Sequence, residues 1–589
     1  MPDRTPARPF RSRDWFADPA RSDMTALYLE RFMNYGITPD ELRSGRPIIG
    51  IAQTGSDLSP CNRIHLELAK RVRDGIRDAG GVPIEFPVHP IFENCRRPTA
   101  ALDRNLAYLG LVETLYGYPI DAVVLTTGCD KTTPAGIMAA STVDIPAIVL
   151  SGGPMLDGWH EGELVGSGTV IWRSRRKLAA GEIDEEEFLR RATDSAPSAG
   201  HCNTMGTAST MNAVAEALGL SLTGCAAIPA PYRERGQMSY ETGKRIVEMA
   251  YEDLRPSKVL TRASFLNAIK VVSAIGGSSN AQPHIVAMAR HAGVEIAPQD
   301  WMAHGYDVPL IVNMQPAGEY LGERFHRAGG VPAVMWELLQ AGQLDGACAT
   351  VMGKPLSETL AGREAGDREV ITPYAAPLKE RAGFLVLRGN LFDFAIMKTS
   401  VISEAFRAQF LKDGVFEGRC VVFDGSDDYH HRINDPDLGV DAGTILVIRG
   451  SGPLGWPGSA EVVNMQPPDA LIRSGVTSLP TLGDGRQSGT SDSPSILNAS
   501  PESAAGGGLA WLRTGDLIRI NLEAGTCNAL VDEAEIARRR TEPAPPIPES
   551  HTPWEELYRE KTGQLADGAV LEMAVKYRGV AAKTPRHNH

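Results

Sequence analysis

The chain has 589 residues, which is too long for one hydrophobic core and indicates two large units or several smaller ones. Apolar residues make up 42% of it and charged residues 22%, proportions that are typical of folded globular proteins and exclude disordered and fibrous classes. The formal net charge of -13 argues against nucleic-acid binding, because an acidic surface repels phosphate groups.

The start of the chain has no pattern typical of membrane insertion or secretion. No apolar run approaches the ~20 residues of a membrane span, and residues 1–16 contain no continuous hydrophobic segment. Several arginines near the start could belong to a transit peptide, but aspartates interrupt them. We therefore expect a cytoplasmic protein that does not bind membranes.

The N-terminal part alternates predicted strands with predicted helices. Residues 47–54 and 120–127 are apolar, β-branched runs, and helical stretches follow them at 62–79 and 133–140. A third strand-like run, 146–151, comes directly after the second helix. This alternation predicts an α/β fold, with a doubly wound parallel-sheet domain whose sheet is covered by helices on both faces.

From about Gly383 the pattern changes to short strands separated by glycines, which predicts a β-rich, barrel-like C-terminal domain. The predicted strands are 384–387, 420–423, 444–448 and 517–521. We place the domain boundary between Ser357 and Gly383 and assign 1–375 to the first domain and 376–589 to the second. Two stretches, GSGPLGWPGSAE and TLGDGRQSGTSDSPS, are too rich in Gly, Pro and Ser for regular structure and are predicted to be functional loops.

Three of the eight cysteines occupy similar local contexts. Cys61, Cys129 and Cys202 each follow a strand or loop and precede a helix, and no cysteine belongs to a CxxC pair. Because the carboxyl ends of parallel strands meet at one crevice, where helix N-termini stabilise thiolates, the three could bind a metal or cluster together. The alternative is that each is a small buried apolar residue, which is the commonest fate of a free cysteine. We assign Cys95 and Cys225 to packing.

Charged residues lie close to these cysteines in the sequence. Asp130 and Lys131 directly follow Cys129, and Glu93 lies in the irregular stretch HPIFENCRRPT. Hard oxygen ligands beside soft thiolates indicate two different metals in one pocket. Taken singly, Asp130 could be a helix cap, Lys131 a surface amine and Glu461 a solvated loop residue.

Five motifs together resemble the dihydroxy-acid and sugar-acid dehydratase family, which includes phosphogluconate dehydratase. In chain order they are GCDKTTPAGIMAAS, AGHCNTMGTASTMN, GGSSNAQPH, GWPGSAE and DGRQSG. The resemblance extends from about Arg11 almost to the C-terminus. Within the family, FRSRDWF, FPVHPIFENCRRPTAALDRNL and SLPTLGDGRQSGT are similar to the pentonate dehydratase branch.

The resemblance implies two inorganic groups. One is a [2Fe-2S] cluster, replaced by [4Fe-4S] in some relatives, and the other is Mg²⁺. The implied cluster ligands are Cys61, Cys129 and Cys202. The implied magnesium ligands are Glu93, Asp130, Glu461 and Lys131, the last of which is carbamylated in family members.

The resemblance also implies the reaction. The implied catalytic residues are Lys131 and Ser488, the latter matching a serine that acts as a base in its alkoxide form. The implied activity is removal of water from a small sugar acid, with D-xylonate as the expected substrate and a 2-keto-3-deoxy acid as the product. L-Arabinonate or another aldonate, a branched-chain dihydroxy acid, and an electron-transfer iron-sulfur protein are the alternatives. A homodimer or homotetramer is expected.

Overall fold

The structure is a computed structural model that describes residues 5–403, 406, 408, 414–543 and 545–587. A four-stranded parallel sheet forms the centre of its N-terminal region. The strand order is β2-β1-β3-β4. Every residue of β1, β3 and β4 is buried, so both faces of the sheet are covered, as predicted. The strands are β1 (Ile48–Gln53), β2 (Val82–Pro87), β3 (Ala122–Thr127) and β4 (Ala147–Ser151), with a separate hairpin of β5 (Gly158–His160) and β6 (Glu163–Val165).

Helices surround this sheet. Their bounds are α1 (Arg13–Phe16), α2 (Ser22–Phe32), α3 (Pro39–Arg43), α4 (His65–Asp78), α5 (Ala100–Gly117), α6 (Thr132–Val143), α7 (Thr169–Ala180), α8 (Glu185–Asp194), α9 (Thr207–Ala217), α10 (Arg233–Glu252), α11 (Pro256–Val259), α12 (Arg262–Ala274), α13 (Ala281–Ala292), α14 (Gly322–Arg327), α15 (Gly330–Gln340) and α16 (Leu356–Thr359). Helices α4 and α10 pack against each other, and α6 packs between α5 and α13. Within the described part of the chain, no helix is long and apolar enough to cross a membrane.

The C-terminal region contains a closed eight-stranded barrel, which confirms the barrel-like prediction. Its strands are β7 (Phe384–Gly389), β8 (Phe392–Lys398), β9 (Val415–Asp424), β10 (Ile445–Arg449), β11 (Thr481–Gly483), β12 (Ser495–Ser500), β13 (Leu517–Asn521) and β14 (Thr526–Ala529). Around the barrel the order is β10-β11-β12-β8-β7-β14-β13-β9. Helices α17 (Gly425–Arg432), α18 (Asp469–Arg473), α19 (Glu533–Arg539) and α20 (Pro553–Lys561) complete this region. The domain boundary near residue 375 stays a prediction.

Two expectations from the sequence are wrong in detail. The stretch TLGDGRQSGTSDSPS is not irregular throughout, because its first residues form β11 and its last residue begins β12. Hydrogen bonding to neighbouring barrel strands overrides the weak strand propensity of these small residues. Cys95 is exposed and does not pack in the core, whereas Cys225 is buried as expected.

Candidate active site

The three cysteines in similar sequence contexts line one cavity in the structure. Cys61 lies in a short 3₁₀ turn beyond β1, Cys129 lies between β3 and α6, and Cys202 lies in the loop before α9. The side chain of Asn62 holds two of these segments together, since its Oδ1 accepts a 2.6 Å hydrogen bond from the backbone N–H of Cys129. The predicted convergence of three strand-end and loop segments is therefore present.

Burial and mutual contact disfavour the charged form of the thiols in this cavity. A hydrogen bond with the Cys129 thiol, together with burial, raises the pKa of Cys61 well above its ordinary value. Burial raises the pKa of Cys202 to about 11. Thiolates are thus disfavoured here unless a metal offsets their charge, and three sulfur ligands in one cavity fit an iron-sulfur group with one open coordination position.

An acidic cluster lies beside the thiols. Glu93, Asp130 and Glu461 each place a carboxylate oxygen within 4.8 Å of the other two. Glu93 comes from the loop before α5, Asp130 from the turn between β3 and α6, and Glu461 from the loop between β10 and β11. Three carboxylates at this spacing fit a hard divalent cation such as Mg²⁺.

Two buried cations offset part of the negative charge of the acidic cluster. Lys131 is fully buried, and its Nζ lies 2.5 Å from Oε2 of Glu93 and 2.8 Å from Oδ2 of Asp130. Arg486 is only 1% exposed and contacts Glu93 at 3.2 Å and Glu461 at 3.1 Å. Burial, reinforced by the charge of Glu93, nevertheless raises the pKa of Glu461 to about 7. The cluster is therefore short of positive charge, which also favours a bound metal.

The glycine-rich loop before Glu461 is held by two buried carboxylates. Asp484 accepts hydrogen bonds from the backbone N–H groups of Gly450 and Ser451, and Glu502 accepts from those of Leu454 and Gly455. The same loop docks on the N-terminal region, because Trp456 Nε1 donates to the carbonyl of Pro98 at 3.2 Å. These contacts bring Glu461 to the carboxylates of the first region. The motif GWPGSAE is thus a positioning loop.

Ser488 lines the same cavity as the cysteines and the acidic residues. Its Oγ lies 2.8 Å from Oγ1 of Thr490 and 3.4 Å from the backbone nitrogen of the same residue. The structure therefore brings together all of the site residues predicted from the sequence.

Sequence reasoning missed three residues of this site. Arg486 and Thr490 flank Ser488 in DGRQSGT, and Asn280, in GGSSNAQPH, donates a 2.6 Å hydrogen bond from its Nδ2 to Oε1 of Glu461. All three lie in or directly beside motifs that were recognised, so their positions carried a signal. Their roles were not evident because each contacts a residue that is distant in the chain: Arg486 contacts Glu93, Asn280 contacts Glu461 and Thr490 contacts Trp172.

A larger cavity, of about 570 Å³, lies elsewhere, between α7 and α18. Basic residues including Arg173 and Lys177 line it, but none of the predicted site residues does. Its size alone does not make it the reaction site, because the cysteines, the acidic cluster and Ser488 all lie elsewhere.

Comparisons with known proteins identify the family of this chain. Residues 46–359 match the N-terminal domain of the dihydroxy-acid/6-phosphogluconate dehydratases, and residues 369–569 match their C-terminal domain. The chain is 76% identical to a D-xylonate dehydratase of Caulobacter vibrioides, with 100% of this chain and 99% of that protein covered. It is 44% identical to an L-arabonate dehydratase of Azospirillum brasilense, over 98% of this chain and 99% of that protein. It is 35% identical to a dihydroxy-acid dehydratase of Moorella thermoacetica, over 91% and 96%. The chain therefore belongs to the dihydroxy-acid/6-phosphogluconate dehydratase family.

Proposed function

We propose that this chain is a D-xylonate dehydratase, a hydro-lyase that removes water across C2 and C3 of the sugar acid and yields a 2-keto-3-deoxy acid. The observation that supports this most directly is the meeting of three thiols, three carboxylates and Ser488 in one cavity. The relative named D-xylonate dehydratase, at 76% identity, supports the substrate. L-Arabinonate is the second candidate, because an L-arabonate dehydratase matches over nearly the whole chain.

The donor atoms suggest which residues hold each inorganic group. Cys61, Cys129 and Cys202 would hold the iron-sulfur cluster, for which we propose the [2Fe-2S] form with [4Fe-4S] as the alternative. Glu93, Asp130 and Glu461 would hold Mg²⁺. When bound, the two groups supply positive charge that acidifies the C2 proton and makes the C3 hydroxyl a better leaving group.

Lys131 has to lose its positive charge before a divalent cation joins the same carboxylates. Its ammonium group already lies between Glu93 and Asp130, where it would repel a metal ion. Loss of a proton, or formation of a carbamate on Nζ, would remove this repulsion, and a carbamate would add an oxygen ligand. We propose that Lys131 contributes to the magnesium site in the carbamylated form.

Ser488 is the proposed base. Its Oγ would take the proton from C2, the electron pair would form the C2–C3 double bond, and the C3–oxygen bond would break with departure of hydroxide, which takes up a proton as water. The resulting enol rearranges to the 2-keto acid. A serine hydroxyl is too weak an acid to ionise unaided, so the site has to stabilise the oxygen anion by nearby positive charge and hydrogen-bond donors.

Turnover of a panel of acids tests the proposal. Anaerobically purified protein with Mg²⁺ is given D-xylonate, L-arabinonate, D-gluconate and dihydroxyisovalerate, and the 2-keto product is measured. We expect the highest kcat/KM with D-xylonate. Activity with dihydroxyisovalerate alone, or with none of the acids when the cluster is present, would contradict the proposal. Light scattering on the same sample tests the predicted homodimer or homotetramer, and cell fractionation tests the predicted cytoplasmic location.

A further inference from the structure

The hydroxyl of Thr490 has a partner outside its own loop. Nε1 of Trp172, on α7, donates a hydrogen bond to Thr490 Oγ1 at 2.9 Å. An indole N–H can only donate, so the direction of this bond is fixed and Thr490 Oγ1 is the acceptor. One lone pair of the threonine oxygen is therefore engaged by Trp172.

That contact leaves the proton of Thr490 free for the next hydrogen bond. Thr490 Oγ1 lies 2.8 Å from Ser488 Oγ, and either hydroxyl could donate if the pair were isolated. When Ser488 acts as the base its alkoxide has no proton, so Thr490 has to donate, and the contact from Trp172 occupies a threonine lone pair without using the threonine proton. The backbone N–H of Thr490 also donates to Ser488 Oγ, at 3.4 Å. Two donors directed at one oxygen favour its negatively charged form.

The threonine side chain is held in the rotamer that makes both contacts. An ideal Cβ on Gly168 would lie 2.4 Å from Thr490 Oγ1, and one on Gly206 would lie 2.9 Å from Thr490 Cγ2. Only glycine allows the two backbones to approach the side chain this closely. Two residues further along, Asp492 accepts two 2.9 Å hydrogen bonds from Arg176, so α7 holds the serine loop at a second point.

We infer that Trp172 is a positioning residue for the reaction: its indole N–H orients the hydroxyl of Thr490 so that this hydroxyl donates to Ser488 Oγ when Ser488 acts as the base. The inference rests on the proposed role of Ser488. It assigns a function to an aromatic residue of α7 that does not itself line the cavity of the cysteines. Trp172 acts through Thr490 and does not touch the substrate.

A double-mutant cycle tests this chain of hydrogen bonds. Trp172→Phe keeps an aromatic ring but removes the donor, and we expect kcat to fall about tenfold with KM unchanged, the size of one lost hydrogen bond. The same change is made in Thr490→Ser, which keeps the hydroxyl, and in Thr490→Val, which removes it. Trp172→Phe should lower kcat about tenfold in Thr490→Ser as well, but should have no further effect in Thr490→Val. Turnover in the valine variants is measured over hours at high enzyme concentration, because it is expected to be slow. Trp159→Phe, at an exposed tryptophan of β5, is the matched control and should keep wild-type kcat.

Several results would overturn the inference. They are an unchanged kcat in Trp172→Phe, or a change in KM without a change in kcat. The same fold decrease in kcat in the Thr490→Val background as in the wild type would also overturn it, because it would indicate a packing role for the ring. Melting temperatures and cluster absorbance establish that each variant is folded and loaded. All variants are assayed with the acid that the wild type dehydrates fastest. If that acid is not D-xylonate, the proposed substrate is wrong, but the test of Trp172 remains valid.

Discussion

Nζ of Lys131 lies 2.5 Å from Oε2 of Glu93, and the lysine side chain is fully buried. An ammonium group in this position balances the carboxylates but competes with a metal ion for the same oxygens. The charge on Lys131 therefore bears directly on whether the proposed Mg²⁺ can bind to these carboxylates.

Substitution of Lys131 distinguishes these two states. Both Lys131→Met and Lys131→Arg should lower kcat by about a hundredfold or more, because neither side chain can form the proposed carbamate and supply an oxygen ligand to Mg²⁺. Lys70→Met, at an exposed lysine, is the control. Turnover is measured over a range of Mg²⁺ concentrations. Near wild-type activity in Lys131→Arg would mean that the residue serves only as a positive charge.

Ser488→Ala should abolish turnover while leaving the proposed cluster in place, because the variant lacks the oxygen that we propose as the base for the C2 proton. We expect a loss of about a thousandfold or more in kcat. Ser493→Ala removes a hydroxyl from the same loop, where Ser493 bonds to Ser495 at 2.8 Å, and should retain most of the activity. Product formation and visible absorbance are compared in the two variants. Substantial turnover in Ser488→Ala would exclude this serine as the base.

Loss of any one cluster cysteine should remove the bound iron. Cys61→Ala, Cys129→Ala and Cys202→Ala would each leave two of the three proposed sulfur ligands, too few to hold the cluster. Cys95→Ala, at an exposed cysteine, should keep both iron and colour. Iron content and visible spectra of anaerobically purified protein are the measurements. A cysteine variant with full iron content would remove that residue from the ligand set.

Gly458 marks the point where the loop before Glu461 meets α5. An added Cβ there would lie 2.3 Å from the backbone nitrogen of Leu102, at a φ of +89°. Backbone strain at this φ costs about 1–3 kcal/mol, and the collision should make the destabilisation of Gly458→Ala larger than that. The variant should also be less active, because the collision displaces Glu461. Gly506→Ala is the matched control, since Gly506 has a φ of +80° but no atom within 4 Å of the added Cβ. Equal losses of melting temperature in the two variants would contradict the proposed collision.

Buried His291 should make the protein sensitive to acid. Burial lowers the pKa of His291 to about 3, so the folded state holds the ring neutral while the unfolded chain binds a proton below about 6.5. Its contribution to stability is present above pH 6.5 and is lost progressively as the pH falls toward 3. His291→Phe keeps a ring beside Tyr108 but cannot titrate, so its melting temperature should rise relative to wild type between pH 7 and pH 5.

Asp121 provides a comparison of opposite sign. Burial raises its pKa to about 6, so its contribution to stability is present at low pH and is lost as the pH rises from about 4 to 6. The melting temperature of Asp121→Asn relative to wild type should therefore rise with increasing pH over that range. If the difference in melting temperature between a variant and the wild type does not change with pH over its range, the pKa shift assigned to that residue is contradicted.

Local patterns in the sequence were sufficient for much of this picture. Alternating apolar runs predicted β1, β3 and β4 and the helices after β1 and β3, because strand and helix periodicities are properties of short segments. The motifs around Cys129 and Ser488 carried the resemblance to the dehydratase family, and the family matches confirm it.

Only the tertiary structure decided how these segments meet. Closure of the barrel recruits the small residues of β11 and β12 into strands, and this depends on pairing with β8 and β10. Arg486 reaches Glu93 from 393 positions away, and Trp172 reaches Thr490 from 318 positions away. No local pattern encodes such contacts, because they arise from the packing of the barrel against the α/β region. The sequence therefore predicts which chemical groups the site contains, whereas the fold determines their charge balance and their hydrogen-bond partners.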